Sequence, residues 1–201
     1  MTKVIGLTGR SGAGKSAAAA IFQKQGIPVI DADAVYHGIL SSKNACTEEL
    51  VSTFGREILG GDGLVDRKKL GNAVFGRENT PALLHSLNTI THKYIMAEIR
   101  ALVQAYREKA VRAVLLDAPQ LFEANADRDC DLVLGIVAPD EICISRIMAR
   151  DGIERTAAER RLAAQHSVEY FREKCTAVIE NTKGLSALET EICRFLENYG
   201  V

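Results

Sequence analysis

The chain has 201 residues, of which 47% are hydrophobic, 25% charged and 5% aromatic. This composition excludes collagenous, low-complexity and wholly disordered proteins, and the length is enough for a core without metal or disulfide support. The 25 Lys and Arg residues against 26 Asp and Glu residues give a net charge of -1, so no overall field attracts nucleic acid or anionic lipid. We therefore expect neither as a partner.

Cysteine and histidine usage indicates a reducing compartment and no structural metal. The five cysteines are odd in number and never form a C-x-x-C pair, and the four histidines are dispersed. Both patterns argue against a disulfide framework and a zinc site. No window approaches the roughly 20 apolar residues of a membrane span, and the first apolar run is broken early by glycine and charge, unlike a signal peptide. We expect a cytoplasmic protein.

Five short apolar runs bounded by turn residues predict the buried strands of a parallel sheet. They are Val4–Leu7, Pro28–Ile30, Ala113–Leu116, Leu132–Val137 and Ala177–Ile179. Patterns of helical period lie between them, as in βαβ proteins. The alternation breaks once, since residues 32–112 show several helix signals and no strand-like run. This predicts an α/β fold with a helical insertion between the second and third strands.

The segment Gly9–Ser16, GRSGAGKS, fits the phosphate-binding pattern G-x-x-x-x-G-K-[ST]. It follows the first strand and opens a helical run over Ala17–Gln25, so its context is that of a P-loop. Its backbone N–H groups and the helix N-terminus would cradle phosphates, with Lys15 on the β- and γ-phosphates and Ser16 on Mg²⁺. The alternative is a glycine-rich turn with an exposed lysine. The predicted nucleotide contacts are Gly12, Ala13, Gly14, Lys15, Ser16 and Ala17.

Two carboxylates, Asp31 and Asp33, follow the second apolar run. Two positions apart on an extended chain, they would project to one side, at the sheet edge where α/β proteins bind ligands. A carboxylate there can accept the proton of an attacking hydroxyl. It can also cap the helix predicted over Val35–Leu40. We expect one of the pair to cap and the other to act.

Asp117 ends the third apolar run, in the position of a Walker B carboxylate that holds water on a metal. A turn-forming Asp before proline is an equal alternative. Glu123 lies in the following loop, either functional or merely solvated.

Arg146 and Arg150 are four residues apart and would share one helix face. Arginine can hold phosphate oxygens and stabilise charge on a transferring group, and a closing lid would bring such side chains to ATP. The alternative is a surface helix with acidic partners.

With these residues described, the chain resembles dephospho-CoA kinases over nearly its whole length. The resembling segments are Ile5–Gly9 with the P-loop, Gly26–Asp33, Gly63–Gly71, Asp117–Pro119, Leu121–Glu123, Arg150–Asp151, Ala163–Gln165 and Val178–Asn181. The family commonly has glycine and an aliphatic residue where this chain has Arg10 and Ser11.

The resemblance implies a three-layer, adenylate-kinase-like P-loop kinase fold with a helical substrate domain and a lid. The nucleotide core would comprise residues 1–31 and 113–201, with a lid at about 150–166 and a CoA-binding insertion at 32–112. Asp33 would take the proton of the ribose 3′-hydroxyl of dephospho-CoA, Lys15 with the lid arginines Arg146 and Arg150 would be catalytic, and Asn181 would lie near the adenine of ATP. Ser16 and Asp117 would hold Mg²⁺.

We therefore expect ATP-dependent phosphorylation of dephospho-CoA by a monomer or weak homo-oligomer. A nucleoside or sugar kinase is a second hypothesis, and a nucleotide-controlled switch without an acceptor is a third. The sequence lacks the Asn-Lys-x-Asp motif that reads guanine in many such switches.

Overall fold

A computed structural model describes residues 2–76 and 80–201, and within them five strands form one parallel sheet of order β2-β3-β1-β4-β5. The strands are β1 (Lys3–Gly9), β2 (Val29–Asp31), β3 (Ala113–Asp117), β4 (Leu132–Val137) and β5 (Ala177–Glu180). The predicted parallel sheet is thus confirmed, with strand ends that differ from the apolar runs by at most two residues.

Helices bury the sheet on both faces, which explains why the strands read as unbroken apolar runs. Ile5 and Leu7 of β1 are completely buried in a cluster with residues of the first helix and of the last. Val4 is equally buried, and it faces the opposite side because side chains alternate along a strand.

Nine α-helices lie in the part of the chain that the structure describes. They are α1 (Lys15–Lys24), α2 (Ala32–Leu40), α3 (Ala45–Phe54), α4 (Arg67–Phe75), α5 (Thr80–Glu108), α6 (Asp140–Asp151), α7 (Arg155–Ala163), α8 (Val168–Lys174) and α9 (Leu185–Asn198). Short 3-10 helices occupy Arg56–Ile58 and Ala126–Asp129. Across residues 2–76 and 80–201, no helix combines the length and apolarity needed to cross a membrane.

The chain divides into two compact units. The first unit, Met1–Ile30 with Val103–Val201, holds most of the sheet, and the second is Asp31–Leu102.

The second unit has its own core, to which α2, α3, α4, α5 and the segment between α3 and α4 contribute. Leu50 and Ile58 are fully buried there. A tight turn lies between α3 and α4, where Gly63 N–H donates to the carbonyl of Gly60 over 3.1 Å. An isolated antiparallel bridge joins Leu59 to Val65 around this turn, so the region is not wholly without β structure.

Candidate active site

The P-loop connects β1 to α1, in the strand-to-helix context that its motif predicts. Ala13 N–H donates to the carbonyl of Arg10 over 3.1 Å, which closes the loop into a turn. Gly12 and Gly14 have φ values of +77° and +105°, which side-chain-bearing residues adopt only with strain. The glycines of the motif therefore let the loop curve back before the helix.

Asn181 packs against the end of this loop. It directly follows β5, is 7% exposed, and its Nδ2 donates to the carbonyl of Ala13 over 2.8 Å. A Cβ at Gly14 would collide with that same amide nitrogen. Asn181 Oδ1 is buried without a hydrogen-bond partner among the described residues. The second half of the P-loop is thus fixed by a side chain that keeps one buried acceptor unused.

Lys15 and Asp117 form an ion pair inside the site. Asp117 ends β3, beside Leu7 of β1 in the sheet register, so the sheet brings it next to the start of α1. Lys15 Nζ donates to Asp117 Oδ1, with the two side chains 18% and 13% exposed. Asp117 is therefore more than a turn-forming residue. An ammonium group has three N–H donors, so two remain for phosphate oxygens.

Arg146 and Arg150 share α6, and their side chains contact different groups in this structure. Arg146 on α6 donates to the carbonyls of Gly12 and Ala13 over 3.2 and 3.3 Å, and it also reaches the carbonyl of residue 181. Arg150 instead forms a bidentate contact with its neighbour Asp151, at 2.7 and 2.9 Å. That guanidinium lowers the pKa of the Asp151 carboxyl to about 2. Among the described residues, the hydrogen bonds of Arg150 are with Asp151 and none is with the P-loop.

The expectation that Asp31 and Asp33 lie on one side of an extended chain is wrong. The strand ends at Asp31 and α2 begins at Ala32, so Asp33 lies in the first helical turn. Asp31 Oδ1 accepts hydrogen bonds from the N–H groups of Asp33 and Ala34, at 2.9 and 3.1 Å. Asp31 is therefore the helix cap. The Asp33 carboxylate is exposed and bonds no other described residue.

Ser16 and Ala17 occupy the first turn of α1. Ser16 is exposed and Ala17 half-buried, so the Ser16 hydroxyl is accessible at the helix start. Within residues 2–76 and 80–201, no three His, Cys, Asp or Glu side chains cluster in a way that could hold a metal by themselves.

Several contacts at the site lay beyond reasoning from the sequence. Gln165 Oε1 accepts the Ser11 N–H over 2.8 Å, and Arg10 pairs with Asp140 at 2.5 Å. His166 pairs with Glu123 at 3.2 Å, which gives Glu123 a partner where the sequence left its role open. The resemblance to the family marked the Ala163–Gln165 and Leu121–Glu123 segments. It did not predict which residues their side chains contact.

A P-loop between the first strand and first helix of a parallel sheet, with Lys15 and Asp117 paired beside it, is typical of P-loop nucleotide-binding proteins. Comparisons with known proteins narrow this class. The family model described as dephospho-CoA kinase matches residues 3–187. A dephospho-CoA kinase from Carboxydothermus hydrogenoformans is 35% identical, with 98% of this chain and 94% of the relative covered.

Solved structures agree in both fold and sequence. A crystal structure from Thermus thermophilus has a TM-score of 0.79 and 32% identity, with 98% of this chain and 97% of that one covered. Dephospho-CoA kinase from Campylobacter jejuni has a TM-score of 0.73 and 28% identity, with 99% and 98% covered. The chain belongs to the dephospho-CoA kinase family.

Proposed function

We propose that this chain transfers the γ-phosphoryl group of ATP to the ribose 3′-hydroxyl of dephospho-CoA, with Asp33 as the base that takes the hydroxyl proton. Family membership carries the reaction. The assignment of Asp33 as the base rests on one observation at the start of α2. Asp31 caps the helix, and the Asp33 carboxylate is exposed. An exposed carboxylate two residues beyond a strand end can accept a proton from a bound alcohol.

The P-loop would bind the polyphosphate of ATP. The loop amides and the α1 N-terminus supply N–H donors and a positive dipole end. Lys15 offers the two N–H donors that Asp117 leaves free. Arg146 donates to the carbonyls of Gly12 and Ala13, so it would stabilise the loop whose N–H groups face the phosphates. These groups position the γ-phosphoryl and stabilise charge on it.

A cavity of about 250 Å³ next to the P-loop supports the adenine assignment of Asn181. Its lining includes Val178, Asn181, Lys183 and Leu188. The unpartnered Oδ1 of Asn181 is an acceptor that suits the exocyclic amino group of adenine, because its Nδ2 is committed to the loop.

Ser16 and Asp117 fit Mg²⁺ as oxygen donors. Mg²⁺ is usually held by one or two protein oxygens together with phosphates and water, which agrees with the absence of a three-carboxylate cluster in the described part of the chain. Mg²⁺ would neutralise charge on the β- and γ-phosphates. Ser16 would contribute its exposed hydroxyl, and Asp117 would contribute a carboxylate oxygen besides its pairing with Lys15.

The test is a coupled assay for ADP release with and without dephospho-CoA, with the position of the new phosphate identified by NMR. Asp33→Asn should lower turnover about 10²- to 10⁴-fold with ATP binding unchanged. Asp31→Asn is the matched control, since Asn caps helices as well as Asp does and turnover should stay near that of the parent chain. Unchanged turnover in Asp33→Asn would show that Asp33 is not the base. Phosphorylation of free adenosine in preference to dephospho-CoA would contradict the assignment of dephospho-CoA as the acceptor.

A further inference from the structure

The first half of the P-loop is held by side chains that lie far away in the sequence. The Arg10 side chain is buried, with 7% exposed, and its guanidinium lies 2.5 Å from Asp140 Oδ1 at the start of α6. Ser11 N–H donates to Gln165 Oε1 over 2.8 Å. We propose that Gln165 is a positioning residue of the phosphate site, which sets the P-loop through the Ser11 amide while the Arg10–Asp140 pair restrains the same segment.

The hydrogen bonds of the loop transmit this restraint to the phosphate-facing amides. The carbonyl of Arg10 accepts the N–H of Ala13, so the position of residues 10 and 11 determines the turn that presents Gly12 to Gly14. A shift in the Arg10–Ser11 peptide would therefore tilt the amides that follow it. Positioning errors at a phosphoryl-transfer site cost rate and affinity because the protein acts mainly through orientation.

Gln165 is attached to a rigid part of the fold. Its backbone N–H donates to the carbonyl of Leu162 over 3.1 Å, and the Leu162 side chain is 2% exposed in the main core. The next residue, His166, stacks on the Tyr170 ring with centroids 3.7 Å apart and planes 10° apart, and pairs with Glu123. The segment after α7 is thus anchored to the core, to α8 and to the loop after β3, and it can hold the Ser11 amide at a defined place.

A glutamine suits this position because it is a neutral acceptor. A carboxylate would accept the same N–H group more strongly, but it would place a negative charge beside the ATP polyphosphate. Unit charges several ångströms apart at a protein surface interact strongly enough to change binding by about 10-fold or more. The carboxamide oxygen orders the loop without repelling the nucleotide. This inference rests on the P-loop assignment of the proposed function, and it does not depend on the identity of the acceptor.

The test compares Gln165→Met, which removes the acceptor at similar side-chain length, with Gln165→Glu, which keeps it and adds charge. Gln104→Met on the exposed face of α5 is the matched control. The dissociation constant of Mg·ATP is measured by calorimetry without any acceptor, at about 50 mM and about 500 mM salt, as a ratio to the parent chain. Thermal unfolding and circular dichroism establish that each variant is folded.

For Gln165→Met we expect about 3- to 10-fold weaker binding at both salt concentrations, the equivalent of one neutral hydrogen bond. For Gln165→Glu we expect a loss of about 10-fold or more at low salt that shrinks at high salt, because salt screens the repulsion between the introduced carboxylate and the polyphosphate. Binding by folded Gln165→Met equal to that of Gln104→Met would overturn the proposal, and so would a salt-independent loss in Gln165→Glu equal to that of Gln165→Met. If the proposed acceptor chemistry alone is wrong, ATP binding still follows these expectations while dephospho-CoA fails to stimulate ADP release.

Discussion

The pairing of Lys15 with Asp117 predicts a strong energetic coupling between two residues that are distant in sequence. Both side chains are more than four-fifths buried, so removal of either charge leaves the other in a poorly solvated place. Such removal typically costs 3–5 kcal/mol at fully buried pairs, and the partial exposure here puts our expectation at the lower end, at about 3 kcal/mol. For a chain of this length, 1 kcal/mol corresponds to about 2–4 °C in Tm.

We therefore expect Lys15→Met and Asp117→Leu each to lower Tm by about 6–12 °C, measured by calorimetry without nucleotide. The double variant Lys15→Met/Asp117→Leu should recover most of this loss, because replacing a buried ion pair by apolar side chains of similar size is often neutral. The expected coupling free energy is about 3 kcal/mol or more, whereas independent sites add within about 0.5 kcal/mol.

Additive losses in the double variant would refute this reasoning, since they would mean that the two charges do not compensate each other. The stability readout is needed because both residues belong to the proposed phosphate site, so activity falls in every variant whatever the energetics of the pair.

Three further predictions concern the backbone of the P-loop, the acid titration of Asp151 and the reactivity of two buried thiols. Gly14→Ala should lower the free energy of unfolding by more than about 1 kcal/mol, since its φ of +105° disfavours alanine, and should weaken ATP binding in calorimetry; Gly71→Ala, in α4 with open space around its Cβ, should leave stability equal or higher. The Asp151 pKa of about 2 lies below the ordinary 3.9, so its stabilising contribution is complete above pH 4 and is lost as pH falls through 2; in acid titrations followed by circular dichroism, the advantage of the parent chain over Asp151→Asn should shrink over that interval. Burial raises the pKa of the Cys130 and Cys175 thiols to about 12, so iodoacetamide at pH 8 should leave both unmodified in the folded chain and alkylate them after unfolding, as read by peptide mass spectrometry.

Much of the fold could be read from local patterns because a buried parallel strand needs a continuous apolar run. Each of the five predicted runs lies within or next to an observed strand, and the Leu132–Val137 run matches β4 at both ends. The P-loop could also be predicted from the sequence, because its glycines and lysine must lie within one short segment to form the phosphate cradle. Resemblance to the family added what single residues could not, namely the acceptor.

The carboxylates at the end of the second strand show what local sequence patterns could not predict. Asp31 and Asp33 are chemically identical and two residues apart, so the sequence left open which one caps the helix. That choice depends on where β2 ends and α2 begins, and such boundaries are the least reliable part of a prediction from sequence. The structure ends the strand at Asp31, which makes its carboxylate the cap and leaves Asp33 exposed.

The arginines of α6 show the same limit for side-chain direction. A spacing of four residues places Arg146 and Arg150 on one helix face. Each guanidinium nevertheless donates hydrogen bonds to a different set of acceptors. For Arg146 these are P-loop carbonyls more than 130 residues earlier, and for Arg150 the adjacent Asp151.

The sequence by itself determined the strands, the P-loop and the class of chemistry, because each depends on neighbouring residues alone. Only the tertiary structure decided the contacts that position the loop, from Lys15 with Asp117 to Ser11 with Gln165. Those contacts join residues 102 and 154 positions apart, and the order of the strands and the packing of the helices set their distances, which no local pattern encodes.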